Sequence, residues 1–394
     1  MKRAVAALAF LALALPAGAA AHATLLRTVP ANGAVLTHAP HVVRVVFDDT
    51  VRVDSGNAAV ANGTGRSVLA GPAVAHGDVL TLPLARRLPA GAYSVRWSIV
   101  SDDGHREQGV LAFAVGAGSP SPHSVLGASV PLTWSDIVLR TLYYLGLLAG
   151  GGAAIFGLLT RTLLGERLHR PLAQLLFFSL LAVFVGASGI AQAATPGTRF
   201  ALVVKIVLVV SLAGGAAAAL APTLRRALPV AWASSLALLA APTFSGHALD
   251  RNQPHLLSVP ADLLHMGSAA VWLGGLLALA YVVPRATTDD VVRAAAARRF
   301  STAALVAVAL LALSGLARAL TELSALDQVW STSYGRTLLV KTALLVPLAG
   351  VGAVNRSLLL TAFTRLRRSA RIELALLLAV VVAVAVLTEL RPGR

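Results

Sequence analysis

The sequence predicts a small all-β Greek-key sandwich or barrel, exported from the cytoplasm, followed by an all-α bundle of eight transmembrane helices. Three observations predict it. Residues 1–21 have the build of a signal peptide, residues 22–117 read as short strands and turns, and long apolar runs begin only near Trp134. Of the 394 residues, 57% are hydrophobic and 13% charged, and the mean hydropathy is +0.76, values of a multi-span membrane protein.

The first element is the leader. Met1-Lys2-Arg3 is its basic start, AVAALAFLALALP its apolar middle, and Ala19-Ala20-Ala21 supplies the small residues before a cut. Cleavage after Ala21 makes His22 the first residue of the mature chain. An α-amine and an imidazole then stand on one residue, and two such nitrogens can chelate a metal. At this point an ordinary exposed histidine is an equal reading of His22.

The exported domain spans 22–117. Segments 42–47, 57–61, 66–70, 78–84, 92–100 and 109–115 are rich in Val and aromatic residues and are separated by turns such as NGTG and LPAG. That density of strands suggests a sandwich or barrel with Trp97 in its core. A Gly/Ser/Pro-rich linker follows, with its bounds at 118–133. The absence of cysteine excludes disulfides and thiolate sites, and the only methionines are Met1 and Met266. Any metal site in this domain must therefore use nitrogen and oxygen.

The informative stretch is SDDGHREQG, residues 101–109. If the strand ending near Val100 continues, Asp103 and His105 project from one face. With His22 they offer an amine nitrogen, two imidazoles and a carboxylate, a set suited to tetragonal Cu(II), without sulfur to favour Cu(I). His38, His41, His76 and His123 lie in turns or the linker and read as solvated surface residues. HATLLRTVPANGAVL…APHVVRVVFDDTV, followed by YSVRWSIVSDDGHREQGVLAFAV, resembles the CopC family of periplasmic copper-binding proteins over nearly the whole domain. The resemblance implies His22, Asp103 and His105 as Cu(II) ligands. It places Asp49 where the family usually has a glutamate near the metal, in a supporting position. The Met-rich Cu(I) site of some relatives has no counterpart here.

The membrane domain is expected over 134–391. Apolar runs near 135–160, 172–194, 200–220, 230–246, 259–283, 300–320, 337–354 and 372–390 are each about long enough to span a bilayer. With the exported domain outside, fourteen arginines fall in inner loops and five in outer segments, which puts both chain ends outside. This topology accounts for the net charge of +16 without a nucleic-acid partner. SGIAQAAT (188–195) matches SGLARALT (314–321), and FALVVKIVLVVSLAG (200–214) matches RTLLVKTALLVPLAG (336–350) with Lys205 and Lys341 in register. The pattern suggests parallel duplicated halves, 134–246 and 259–390.

Polar residues inside spans mark partners or pathways, because charge in hydrocarbon is costly. They concentrate in 243–275. His247 ends the fourth run, and Asp262 and His265 share a helix face, with Met266 beside it and Trp272 two turns on. Gly267, Gly274 and Gly275 would let another helix approach. Lys205 and Lys341 either snorkel outward or pair with Asp136, Asp262 or Glu322, and Arg318 with Glu322 reads as a helix-end ion pair. SGHA, LHMGSAAVWLGG, YGRTLLVK and Asn355-Arg356 resemble the CopD family of copper-resistance membrane proteins, mainly over 243–356. That resemblance implies copper handling at the membrane, with His247, Asp262, His265 and Met266 as a copper path. The alternative for Asp262 and His265 is a hydrogen-bonded pair that only ties helices together.

Together these readings give a multi-pass protein of the bacterial cytoplasmic membrane that binds Cu(II) outside and passes copper inward. Cu(I) is admitted as the state in the bundle, the lipid bilayer is its medium, and periplasmic copper chaperones are candidate partners. No GxxxxGK[ST] phosphate loop is present, so movement rests on gradients. An N-terminal histidine plus a second histidine also resembles the copper brace of oxidative polysaccharide-cleaving enzymes, but Asp103 would fill the position oxygen needs there; the only chemistry admitted is a redox step on copper. Copper sensing or storage without flux, and a b-type cytochrome using His247 and His265, are the remaining alternatives.

Overall fold

The computed structural model describes residues 25–54, 58–102, 104, 106–116, 134–249, 254–322, 328–331, 333–358 and 363–388. Among the described residues nine strands form the first domain: β1 (Leu25–Val29), β2 (Val35–Leu36), β3 (Val42–Phe47), β4 (Val51–Val53), β5 (Ala59–Asn62), β6 (Val74–His76), β7 (Val79–Pro83), β8 (Gly91–Ser101) and β9 (Arg106–Val115). One sheet runs β1-β3-β7-β6 and the other β2-β9-β8-β4, with β5 also paired to β8. All pairs are antiparallel except β2 with β9.

Alternation explains the core. Val43, Val45 and Phe47 of β3 and Leu80 and Leu82 of β7 face inward from one sheet. Val95, Trp97 and Ile99 of β8 and Leu111 and Phe113 of β9 meet them from the other. Each such side chain contributes about 1.5–3 kcal/mol by leaving water. Phe47 meets Trp97 edge-on, ring centroids 5.3 Å apart, so Trp97 is a core residue as its sequence context suggested. Tyr93 stacks on Phe113, and its hydroxyl donates to the Pro89 carbonyl at 2.6 Å.

The strand expected over 66–70 is reduced to two isolated bridges, Ala61↔Ser67 and Leu69↔Leu84, between Gly65 and the Gly71-Pro72 turn. β1 went unread because it is mostly exposed and carries no apolar alternation. The expected continuation of β8 toward Asp103 and His105 is cut short. β8 stops at Ser101, where the Gly104 N–H donates to the Ser101 carbonyl, and β9 starts at Arg106. Residues 102–105 thus connect the two strands of a hairpin.

The second domain is helical: α1 (Trp134–Leu164), α2 (His169–Ala193), α3 (Arg199–Leu220), α4 (Leu228–Leu238), α5 (Ala241–Ser245), α6 (His255–Ala286), α7 (Asp290–Glu322), α8 (Gln328–Ser331), α9 (Ser333–Leu358) and α10 (Phe363–Leu387). Among the described residues five stretches are long and apolar enough to cross a membrane: 134–192, 199–220, 255–286, 290–319 and 335–354. The first, 59 residues long, holds both α1 and α2, joined through a single 3-10 turn. The single helix expected over 230–246 is broken at Leu239–Ala240 into α4 and α5. Pro242 lacks the N–H that a continuous helix would bond there.

α1 lies against α2, α6 and α10, and α6 against α7. The α1–α6 crossing depends on glycine: a Cβ on Gly152 would collide with the Ala270 carbonyl oxygen, and one on Gly274 with that of Leu148. The space beside Gly275 is likewise filled by the Phe300 ring. Gly267 does not serve this purpose, since no neighbouring atom lies within 4 Å of the place a Cβ would take.

Candidate metal site and domain junction

Strand register gathers the ends that carry the candidates of the first domain. Leu25, at the start of β1, pairs with Phe47 at the end of β3, and Val51 of β4 pairs with Ser101 at the end of β8. The segments that adjoin His22, contain Asp49, and bracket Asp103 and His105 therefore meet at one end of the sandwich. Asp49 is buried there, with its carboxylate accepting the Thr50 N–H at 2.6 Å. His22, Asp103 and His105 themselves lie outside the described residues. Gly109, which closes the motif, has a packing reason: it faces Trp97 across the hairpin, where a Cβ would lie 2.5 Å from the indole.

This end of the sandwich touches the bundle at the start of α3. The first N–H groups of a helix have no partner within it. Here the Arg199 N–H donates to the Asp102 carboxylate and the Phe200 N–H to the Asp102 carbonyl, both at 3.0 Å. The Ala201 N–H donates to the side chain of the N-cap, Thr198. Arg52 adds a bond from its guanidinium to the Gly197 carbonyl at 2.9 Å. The Arg199 guanidinium reaches the other way, to the Gly246 carbonyl at 3.2 Å.

Phe200 and Gly246 both line a cavity of about 420 Å³ within the bundle. Asp262, His265 and Met266 line it too, so three of the four sequence candidates on this path are brought together. His247 starts the 3-10 turn after α5, and its side chain lies outside the described residues. Asp262 is buried and forms an ion pair with Arg318 of α7, in place of a lysine partner. Glu322, the partner expected for Arg318, has its side chain outside the described residues. Trp272, two turns beyond His265, is buried and donates to Glu373 of α10 at 2.6 Å.

The network around His265 fixes its tautomer. The Ser314 hydroxyl donates its single proton to the Leu310 carbonyl at 2.6 Å. Its oxygen, 3.2 Å from His265 Nδ1, can then only accept, so Nδ1 carries the hydrogen. Nε2 is left with its lone pair, and Lys341 Nζ of α9 lies 3.4 Å from it. A metal-binding imidazole needs this arrangement, one nitrogen held by a hydrogen bond and the other available. The lysine ammonium stands where an ion bound to Nε2 would sit. Among the described residues no group of three or more His, Asp or Glu side chains could hold a metal.

Residues 25–116 match the family described as CopC domain, and residues 294–387 match the family described as Copper resistance protein D, CopD. The chain carries a CopC domain followed by a CopD domain. It is 28% identical to the copper transport protein CutJ of Bacillus subtilis, over 95% of this chain and 75% of that one. It is 33% identical to protein YobA of Escherichia coli, over 24% of this chain and 79% of that one. A solved structure of CopC from Methylosinus trichosporium OB3b is 27% identical, covering 27% of this chain and all of that one, with a TM-score of 0.22.

The CopD match begins at Ala294, so SGHA and the LHMGSAAVWLGG motif precede it. Sequence reasoning passed over Arg140, which lines the cavity from α1 inside the first apolar run. Its charge in that run was the available signal. Asp102, Arg199 and Phe200, which join the CopC domain to the bundle, carried no comparable signal. Asp102 and Arg199 lie 97 residues apart in sequence.

Proposed function

We propose that the CopC domain captures Cu(II) through His22, Asp103 and His105, with Asp49 in support, and passes copper to the His265 cavity of the membrane domain for import. The two families together support a role in copper transport or resistance. The relative named as a copper transport protein supports the transport half of that statement. The observation that carries the hand-off is the junction: Asp102, next in chain to Asp103, is bonded to α3, and Phe200 of α3 lines the cavity that holds His265.

The direction follows from the potential. A negative interior favours inward movement of a cation by about 2.3 kcal/mol per charge per 100 mV. The CopC domain and both chain ends are assigned to the periplasmic side of the cytoplasmic membrane, in keeping with the arginine distribution. Within the cavity, His265 Nε2 receives the ion once Lys341 swings aside, and Met266 lies next in chain on the same wall.

Copper uptake into proteoliposomes tests this reading. The full chain should accumulate copper, His265→Ala should reduce the initial rate about tenfold or more, and blocking the mature amino terminus should abolish uptake at low copper. Binding without accumulation would instead mark a sensor or store.

A further inference from the structure

We propose that the first turn of α3, at residues 199 and 200, is the dock for copper delivery, tying the hairpin of the CopC domain to the mouth of the bundle cavity. The inference rests on the hand-off reading and adds the place and the residues through which delivery occurs. Arg199 holds both sides at once. Its main-chain N–H binds Asp102 of the hairpin, and its guanidinium binds Gly246 at the cavity wall.

Three further features make this corner a receptor for that hairpin. The Phe200 N–H gives a second bond to Asp102, so two otherwise unsatisfied helix-end donors are served by one residue of the other domain. Gly104 lies against the Phe200 ring with φ +83°, and a Cβ there would stand 2.5 Å from the ring. Both the backbone conformation and the close approach require glycine at this point. Arg52 of β4 adds a separate tether at Gly197. Asp102 and Gly104 flank Asp103 in sequence, so the contacts fasten the chain on either side of an implied ligand.

The fastening is a handful of hydrogen bonds and one ring contact, a dock that can open and close. With the linker intact, an undocked CopC domain still remains near the membrane at high effective concentration. Loss of the dock should therefore weaken delivery from scarce copper while leaving the bundle's own capacity alone.

The test uses the full chain in proteoliposomes and the double variant Arg52→Met/Asp102→Ala, which removes both side-chain bonds across the junction and spares all implied ligands. Amide hydrogen exchange at residues 199 and 200 should become at least about tenfold faster. The apparent KM for copper should rise about tenfold, with Vmax within about twofold and the Cu(II) paramagnetic resonance signal unchanged. Unchanged exchange, an unchanged KM, or a fall in Vmax matching the rise in KM would overturn the proposal. His22→Ala in the parent chain reads the hand-off separately. If its KM does not rise, the hand-off itself fails. If it rises while that of the double variant does not, the dock fails and the hand-off stands.

Discussion

Removing Arg318 should harm the bundle more than neutralising its partner. In Arg318→Met the Asp262 carboxylate, with 8% of its side chain exposed, loses the guanidinium facing it. Breaking a buried pair from one side costs about 3–5 kcal/mol, because the remaining charge is stranded. Arg318 itself is 25% exposed, which places the pair at the low end, about 3 kcal/mol. For a domain of this size about 1 kcal/mol shifts Tm by roughly 2–4 °C, so the variant should melt about 6–12 °C below the parent. Asp262→Asn leaves a partly exposed arginine that can turn toward water, and should lose less than half as much. Asp262→Asn/Arg318→Met removes both charges and should recover to within about 3 °C of the parent, a coupling that the full cycle measures. Thermal unfolding of the detergent-purified chain, followed by near-ultraviolet circular dichroism, reads all four proteins. Equal melting of Arg318→Met and the parent, or a double variant no better than Arg318→Met, would refute the argument that Asp262 is a buried charge held by Arg318.

Three other substitutions probe separate parts of the chain. His105→Ala should weaken Cu(II) binding by about 100-fold or more, read by competition with a chromogenic chelator, since it deletes one of three implied ligands. Gly109→Ala should destabilise the CopC domain by about 1–3 kcal/mol, because its methyl would collide with the Trp97 indole, and the shift should appear in tryptophan fluorescence during denaturant unfolding. Lys341→Met should raise the affinity of the His265 site for copper by about tenfold or more, read by equilibrium dialysis of the His22→Ala chain, because a positive charge 3.4 Å from Nε2 would no longer oppose the ion.

Legibility followed the range of the forces involved. The long apolar runs could be read directly, because every residue of a span answers to the same hydrocarbon surroundings. β3, β7 and β8 were equally readable from their alternation, and Trp97 from its place within β8. β1 lies at a sheet edge and is held mainly by backbone bonds to β3, which leave no apolar signature. The break between α4 and α5 was overlooked although Pro242 marked it. On the site, helical periodicity placed Asp262 and His265 together, yet it could not choose their partners. Arg318, Ser314 and Lys341 come from α7 and α9, and only the packing of three helices brings them to one wall.

The matching segments 200–214 and 336–350 show how similar helices can be set to different work. Lys205 of α3 is exposed, while Lys341, in register with it, is half-buried against His265. The difference lies in the neighbours. Ser188 and Ser314, which also match, make the same bond to the carbonyl four residues back, at 2.7 and 2.6 Å. Ser314 in addition faces a histidine, because α6 supplies His265 there. On α3 the useful feature is instead its first turn, whose donors meet Asp102 of the CopC domain. A lysine inside a span is tolerable where it can reach water or an acceptor. At 205, less than two turns into α3, snorkelling toward the helix start serves the first, and at 341 the imidazole supplies the second. That acceptor is the same lone pair a copper ion would need, so under the proposed function the arrival of copper and the displacement of Lys341 would be a single exchange of one cation for another.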